Sequence, residues 1–200
     1  KNYSLAIEYY NKALIISIEM GYKLGSCTWL GNKAIALVNM GKYRDAKELF
    51  LQAIEISREI ENKGHEANWL HNLSLSYFHL KEYSNAISAC KEALKIVEET
   101  GYNRIKDPVL NNLGSIYFTL KDYIAAVNYY NESVKCAIEK GDKYGEGIGM
   151  INIGNSYFSL GDLHKSKVAF SKALQTLEPI LGSHDNNIVS LKSMIRNIRF

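Results

Sequence analysis

The fold is decided by the stretch from Leu110 to Tyr130, which reads LNNLGSIYFTLKDYIAAVNYY. Its apolar and small residues recur at spacings of three and four, which is typical of helices with one buried face. The mostly polar segment TLKD in the middle interrupts this pattern. We therefore predict one helix, a tight turn, and the start of a second helix that packs back on the first. Similar residues return 40 positions earlier and later, which indicates a repeat.

The second helix of each repeat carries four columns of aromatic, apolar or small residues. They are Tyr3, Tyr43, Tyr83, Tyr123 and Leu163; Ala6, Ala46, Ala86, Ala126 and Ser166; Tyr10, Phe50, Cys90, Tyr130 and Phe170; and Ala13, Ala53, Ala93, Ser133 and Ala173. Successive columns are three, four and three positions apart. That spacing places all of them on one side of a helix.

The first helix of each repeat has its own columns. They are Leu30, Leu70, Leu110 and Met150; Asn32, Asn72, Asn112 and Asn152; Ala34, Ser74, Gly114 and Gly154; and Leu37, Tyr77, Tyr117 and Tyr157. Two helices approach closely only where the side chains at their crossing are small. We therefore expect a leucine at Gly114 or Ala126 to force the helices apart, at a cost on the order of 1–3 kcal/mol.

This succession of a large apolar residue, Leu-Gly, Tyr, Ala, an aromatic residue and Ala resembles the tetratricopeptide repeat. The common unit has 34 residues and ends in proline, whereas here the period is 40 and that proline is missing. The longer period is similar to that of kinesin light chains, cell-polarity adaptors and bacterial peptide-sensing regulators. The resemblance implies an all-α fold, a right-handed superhelical solenoid of antiparallel helix pairs with about ten helices.

We expect one solenoid over residues 1–200. Its parts are a second helix at 1–22, full units at 23–62, 63–102, 103–142 and 143–182, and a capping helix at 183–200. The helices are predicted near 2–20, 23–40, 43–61, 64–80, 83–100, 107–120, 123–140, 143–160, 163–181 and 185–199.

Three glycines and one Asp-Pro pair mark predicted helix ends. Gly21, Gly101 and Gly141 stand where second helices should stop. Asp107 is predicted to cap the following helix, with Pro108 at its first position.

Composition limits the classes of function. A hydrophobic content of 46% and a charged content of 22% are those of a folded protein. The net charge of +3 is small and gives no case for nucleic-acid binding. Three widely spaced cysteines suggest a reducing compartment, so we expect a cytoplasmic protein. No apolar run has the length of a membrane span.

The first predicted helix has no preceding partner. Its apolar residues Leu5, Ile7 and Leu14 would stay partly uncovered. We therefore expect the repeat array to continue before Lys1, and we expect this chain to self-associate through that helix.

No pattern in the sequence indicates catalysis, a metal or a cofactor. His71 and His79 are eight residues apart, whereas ligand pairs on a helix are spaced by three or four. The glycines from Gly145 to Gly149 resemble a phosphate-binding loop, but they lie in the first turns of a predicted helix and follow no strand. We interpret them as a loosened helix start or as close packing on the preceding unit, and we predict no enzymatic activity.

The asparagine column is the most informative polar feature. One interpretation is structural: the side chains tie neighbouring helices together. The other starts from the solenoid, in which first helices line a concave groove. In families that the chain resembles, asparagine at this position often reaches into the groove, where its amide can bond the backbone of an extended peptide. The predicted groove residues are Asn32, Asn68, His71, Asn72, His79, Asn111, Asn112, Ser115, Phe118, Asn152 and Asn155.

The groove lining is polar and aromatic with little charge. An aromatic row, Phe78, Phe118 and Phe158, accompanies the asparagines and could equally belong to the core. Chaperone-binding members of the resembling family grip a carboxylate with lysine and arginine, which are missing here. We expect a protein or peptide partner held in the groove, and no nucleic acid or membrane. The alternative is a ligand- or peptide-sensing domain of a larger signalling protein.

Overall fold

The computed structural model describes residues 2–198, and this part of the chain contains ten α-helices, one 3₁₀ helix and no strand. Lys1, Arg199 and Phe200 lie outside the described residues, as do the outer ends of the predicted segments 1–22 and 183–200. The α-helices are α1 (Tyr3–Glu19), α2 (Lys23–Asn39), α3 (Tyr43–Glu59), α4 (Lys63–His79), α5 (Tyr83–Thr100), α6 (Lys106–Thr119), α7 (Tyr123–Lys140), α8 (Lys143–Ser159), α9 (Leu163–Leu181) and α10 (Asn186–Asn197).

Every observed helix end lies within two residues of its predicted position. The all-α repeat fold is therefore confirmed. Within residues 2–198, no helix combines the length and the apolar character that a membrane crossing requires.

Turns with a left-handed residue recur every 20 residues. Gly21, Gly101 and Gly141 have φ angles of 64°, 69° and 71°, as predicted for helix ends. Glu61 and Lys81 adopt the same conformation without being glycine, at φ angles of 55° and 63°. The conformation is thus imposed by the repeat, since side chains at these positions disfavour it.

The prediction for Asp107 was wrong. A 3₁₀ helix at Asn103–Ile105 runs directly into α6, which begins at Lys106. Asp107 therefore lies inside the first helical turn, where its carboxylate pairs with Lys140 and its carbonyl accepts a hydrogen bond from the Ser133 hydroxyl at 2.9 Å. The chain reaches α6 through a tighter turn instead of a side-chain cap.

The chain forms two compact units. Unit 1 extends to Ile105 and unit 2 starts at Lys106. Within each unit, helices that follow one another in the chain pack side by side. The helices α2, α4, α6 and α8 are the first helices of the predicted repeats, and α3, α5, α7 and α9 are the second helices. One solenoid over the whole chain stays a prediction.

The small-residue column faces the aromatic column of the following helix. A β-carbon added to Gly114 would lie 2.5 Å from the ring of Tyr130, and one added to Gly154 would lie 2.5 Å from the ring of Phe170. Ala126, which we had expected at the crossing, is also fully buried. The glycines are therefore needed because the opposite residue is a large ring.

The glycines at the start of α8 serve close packing, which was one of the two interpretations, and they pack on the following helix as well as on the preceding one. A β-carbon on Gly147 would collide with the side chain of Leu177 in α9, and one on Gly149 would collide with Val134 in α7. α8 is held between both second helices by this close approach.

The two outer helices differ in how well they are covered. On α1, Tyr9 and Ile16 are 61% and 54% exposed, and Met20, directly after the helix, is 75% exposed. Tyr129, which takes the position of Tyr9 in a later repeat, instead stacks on Tyr117 of the helix before it, with ring centroids 5.3 Å apart. Self-association through α1 stays a prediction, which sedimentation velocity at rising concentration would test.

Helix α10 closes unit 2 by packing on α9. Its residues Ile188 and Leu191 are buried, and Ile195 packs beside Phe170. Met194, on the same helix, is 42% exposed.

Candidate functional site

Long stretches of the first helices carry no charge. No Asp, Glu, Lys or Arg occurs in the segments 67–79 of α4, 108–119 of α6 and 147–159 of α8. The charged residues of these repeats lie mainly on the second helices. A partner on the first helices would therefore meet amides, hydroxyls and rings, so hydrogen bonds and apolar burial would decide its affinity.

The asparagine column is half-buried along its whole length. In unit 2, the Asn152 Nδ2 of α8 donates a hydrogen bond to the Asn111 Oδ1 of α6 at 3.0 Å. In unit 1, the Asn72 Nδ2 donates to the carbonyl of Asn68 in its own helix at 2.9 Å. Asn152 thus ties two first helices together, as the structural interpretation states, and its amide oxygen remains on the same surface.

In unit 1, several predicted groove residues are engaged by other parts of the unit. The Asn68 Nδ2 donates to the Tyr102 Oη at 3.2 Å and to the Gly64 carbonyl at 2.9 Å. The ring of His79 is exposed but stacks on Tyr43, with centroids 4.2 Å apart and planes at 9°. The half-buried His71 accepts a hydrogen bond from the Ser74 hydroxyl at its carbonyl, at 2.6 Å.

In unit 2, Ser115 and Phe118 are also held by neighbours. The Ser115 hydroxyl donates to the Asn111 carbonyl at 3.0 Å and is bonded to the Tyr130 hydroxyl at 3.1 Å. Phe118 is half-buried against the core cluster around Ala126 and meets Tyr123 edge-on, with centroids 5.3 Å apart. Phe118 thus belongs mainly to the core.

One pocket of about 270 Å³ opens beside α8, and we call it the Phe158 pocket. Its lining comes from three helices of unit 2 and the residue after them. The lining residues are Asn155, Phe158, Phe170, Met194, Asn197 and Ile198. Sequence reasoning included Asn155 and Phe158 in the groove but missed Met194 and Asn197.

The structure places the remaining reactive groups in packing roles. Burial raises the pKa of the Cys90 thiol to about 11, although a hydrogen bond from Ser74 opposes the shift. Cys27, Cys90 and Cys136 are all free and buried. Within residues 2–198, no group of three or more His, Cys, Asp or Glu side chains is placed to hold a metal ion.

Known structures share this fold at low sequence identity. BtubC (BKLC) from P. vanneervenii matches with a TM-score of 0.84 and 16% identity, over 99% of this chain and 83% of that one. A Rap protein complexed with Competence and Sporulation Factor matches with a TM-score of 0.77 and 16% identity, over 99% of this chain and 60% of that one. No protein with curated function matches the sequence.

A third structure is a signal transduction ATPase with numerous domains and a tetratricopeptide repeat sensor, from Pyrococcus horikoshii. It matches with a TM-score of 0.75 and 18% identity, over 98% of this chain. This chain spans only 32% of that protein's length.

Tetratricopeptide repeat models match three segments of the sequence. The matched residues are 26–66, 65–139 and 149–176. Together these segments include more than half of the chain and at least part of each of the four first helices. The chain belongs to the tetratricopeptide repeat family.

Proposed function

We propose that this chain is a protein–protein interaction module without activity of its own, which binds an extended peptide or partner segment on the faces of its first helices. The hydrogen bond between Asn152 and Asn111 carries the proposal. It joins the uncharged surfaces of α6 and α8, so that amides from two successive repeats lie within one hydrogen-bond length. An extended peptide needs such regularly spaced partners for its backbone groups.

The internal hydrogen bonds define what the surface offers. Asn72 and Asn152 use their amide N–H groups inside the protein, and each keeps an amide oxygen that can accept. In Asn111, by contrast, the amide oxygen accepts the hydrogen bond from Asn152, and the amide N–H groups can donate to a partner. In unit 2, the Asn152 oxygen and the Asn111 N–H groups thus offer an acceptor and donors for a peptide backbone.

A double substitution of Asn72 and Asn112 to alanine tests the proposal. We expect it to weaken partner capture at least about tenfold, while the melting temperature changes little, because half-buried amides contribute about 1 kcal/mol or less each. The chain and the variant serve as parallel baits, and mass spectrometry quantifies the bound proteins. Asn85 and Asn128, both exposed on second helices, provide the matched double-alanine control.

Equal losses of capture and of thermal stability in the Asn72 and Asn112 variant would contradict a binding role. They would favour the purely structural interpretation of the column.

A sensing domain of a larger signalling protein is the second candidate. The likeness to a Rap protein in complex with a signalling factor and to an ATPase with a repeat sensor favours it. Binding would then shift the repeats between two arrangements and report to an attached domain. The coding sequence before Lys1 distinguishes the candidates: a catalytic or DNA-binding domain there supports the sensor, and further repeats alone support the scaffold.

The cytoplasm is the compartment that we propose. Three free, buried cysteines support this placement, because cytosolic proteins keep their thiols reduced. A cell fractionation experiment with the full-length protein would test it.

A further inference from the structure

We propose that the Phe158 pocket receives one bulky apolar side chain of an extended, uncharged peptide segment. This inference rests on the proposed function and names the anchor by which unit 2 would hold its partner. The pocket lies between α8, α9 and α10, so the partner would contact the last repeat and its capping helix together.

The size and lining of the pocket select the occupant. About 270 Å³ is below the usual 300–1,000 Å³ of small-molecule sites, and it suits a single large side chain. Phe170 and Ile198 are buried beneath it. At the rim, Phe158 and Met194 are 56% and 42% exposed, so part of their apolar surface is in contact with water. Burial of this surface by an apolar side chain would be favourable.

The polar groups at the wall suit the backbone on either side of that side chain. Within residues 2–198, the half-buried Asn155 amide makes no hydrogen bond, whereas Asn68, Asn72 and Asn152 all donate internally. Asn155 therefore offers both a donor and an acceptor beside the pocket. Asn197, exposed on α10, lines the pocket as well.

The surrounding charges argue for an uncharged segment. The α8 wall from residue 147 to residue 160 has no charged residue. On the α10 side, Lys192 pairs with Glu178 at 2.6 Å. The Lys167 Nζ donates to the Ile198 carbonyl at 3.4 Å. Arg196 and Arg199 stand next to lining residues in the sequence, and Arg196 is exposed to solvent. A charged side chain entering the pocket would lose its hydration against a mainly apolar lining.

The test uses acetylated and amidated heptapeptides, Gly-Asn-Ser-X-Ser-Asn-Gly, with X as Phe, Leu, Ala or Asp. Each is titrated into the isotope-labelled chain and followed by the side-chain amide signal of Asn155 and the methyl signal of Met194. We expect saturable shifts with X as Phe or Leu, and binding at least about fivefold weaker with Ala or Asp.

Two matched variants test whether the peptide binds in the Phe158 pocket. Met194→Asp places a carboxylate on the exposed rim, and we expect it to abolish the shift at Asn155. Val189→Asp makes the same change at another exposed position of α10 that does not line the pocket, and we expect binding to persist. Both positions are exposed, so both variants should fold, which the dispersion of the amide spectrum checks.

Three results would overturn the pocket proposal: no saturable shift with any peptide, equal shifts for Phe and Ala, or unchanged binding by Met194→Asp. A concentration-dependent shift at Met194 without peptide would assign the pocket to a second copy of the chain and would also overturn it. The proposed function is judged separately. A partner that Met194→Asp still captures, and that the Asn72 and Asn112 double variant loses, would leave that function standing.

Discussion

Helices α4 and α8 are the first helices of two repeats that lie 80 residues apart, yet their polar surface residues have different surroundings. On α4, Asn68 is bonded to Tyr102 and His79 is stacked on Tyr43. On α8, the Asn155 amide makes no hydrogen bond within the described residues and lines a pocket. The repeat determines which face a residue occupies, and non-repeated neighbours determine whether that residue is available to a partner.

The largest difference in stability between equivalent substitutions in α4 and α8 is expected where each helix crosses the second helix of its repeat. Gly154→Ala would place a β-carbon 2.5 Å from the Phe170 ring, and we expect a loss of about 1–3 kcal/mol in the free energy of unfolding, despite the better helix propensity of alanine. Ser74→Ala at the same position of α4 should cost about 1 kcal/mol, because it only removes a hydroxyl. Denaturant unfolding measures both.

A second substitution checks the cause. Phe170→Leu combined with Gly154→Ala should recover part of the loss, since the smaller side chain makes room for the methyl group. If the double variant is less stable than the sum of the single effects, the ring is not the source of the conflict.

The next effect concerns a buried carboxylate in the first turn of α4. Glu66 is 4% exposed and accepts hydrogen bonds from Arg58 at 2.7 Å and Lys63 at 2.8 Å. Burial opposes ionisation of Glu66, but these bonds outweigh it and lower its pKa. We expect Glu66→Gln to cost about 1–3 kcal/mol at neutral pH. Glu146→Gln, at the same position of α8 with Lys143 as its partner, should cost about 0.5 kcal/mol.

The stabilisation by Glu66 should depend on pH in a defined direction. Because the pKa of Glu66 is lower in the folded state, its contribution is complete above the ordinary value of 4.5 and is lost as the pH falls below it. The stability difference between the chain and Glu66→Gln should therefore shrink in acid. A difference that is constant from neutral pH to acid would show that the ionised carboxylate is not responsible.

The smallest effect is expected at the α4 surface itself. Tyr102→Phe removes the hydrogen bond to Asn68 and should cost about 0.5–1 kcal/mol. The side-chain amide signal of Asn68 should move towards that of a solvent-exposed asparagine. Tyr22→Phe, at the same repeat position two units earlier, serves as the control and should change neither quantity.

An unchanged Asn68 signal in Tyr102→Phe would contradict our view of α4. It would mean that Tyr102, in the loop after α5, is not what engages the Asn68 amide of α4.

Much of the fold could be predicted because the repeat presents each helical position several times. Gly21, Gly101 and Gly141 marked their helix ends correctly. The predicted N-cap at Asp107 was wrong because the 3₁₀ helix before α6 is not part of the repeat. The Asp-Pro pair is typical of a helix that starts at the proline, so the sequence did not indicate the earlier start at Lys106. The sequence also offered Asn155 and Phe158 as groove residues, but it gave no sign that Met194 and Asn197 would join them across α10.

The sequence by itself determined the family, the helices and the long uncharged stretches of α4, α6 and α8, because these depend on spacing and residue type within a short stretch of chain. Only the tertiary structure decided which amides are occupied and where a pocket forms. Asn68 meets Tyr102 and Asn152 meets Asn111 over 34 and 41 residues, respectively. Such contacts depend on how particular side chains pack between helices. The repeat pattern predicts only the features that all units share, so it does not predict contacts that a single unit makes.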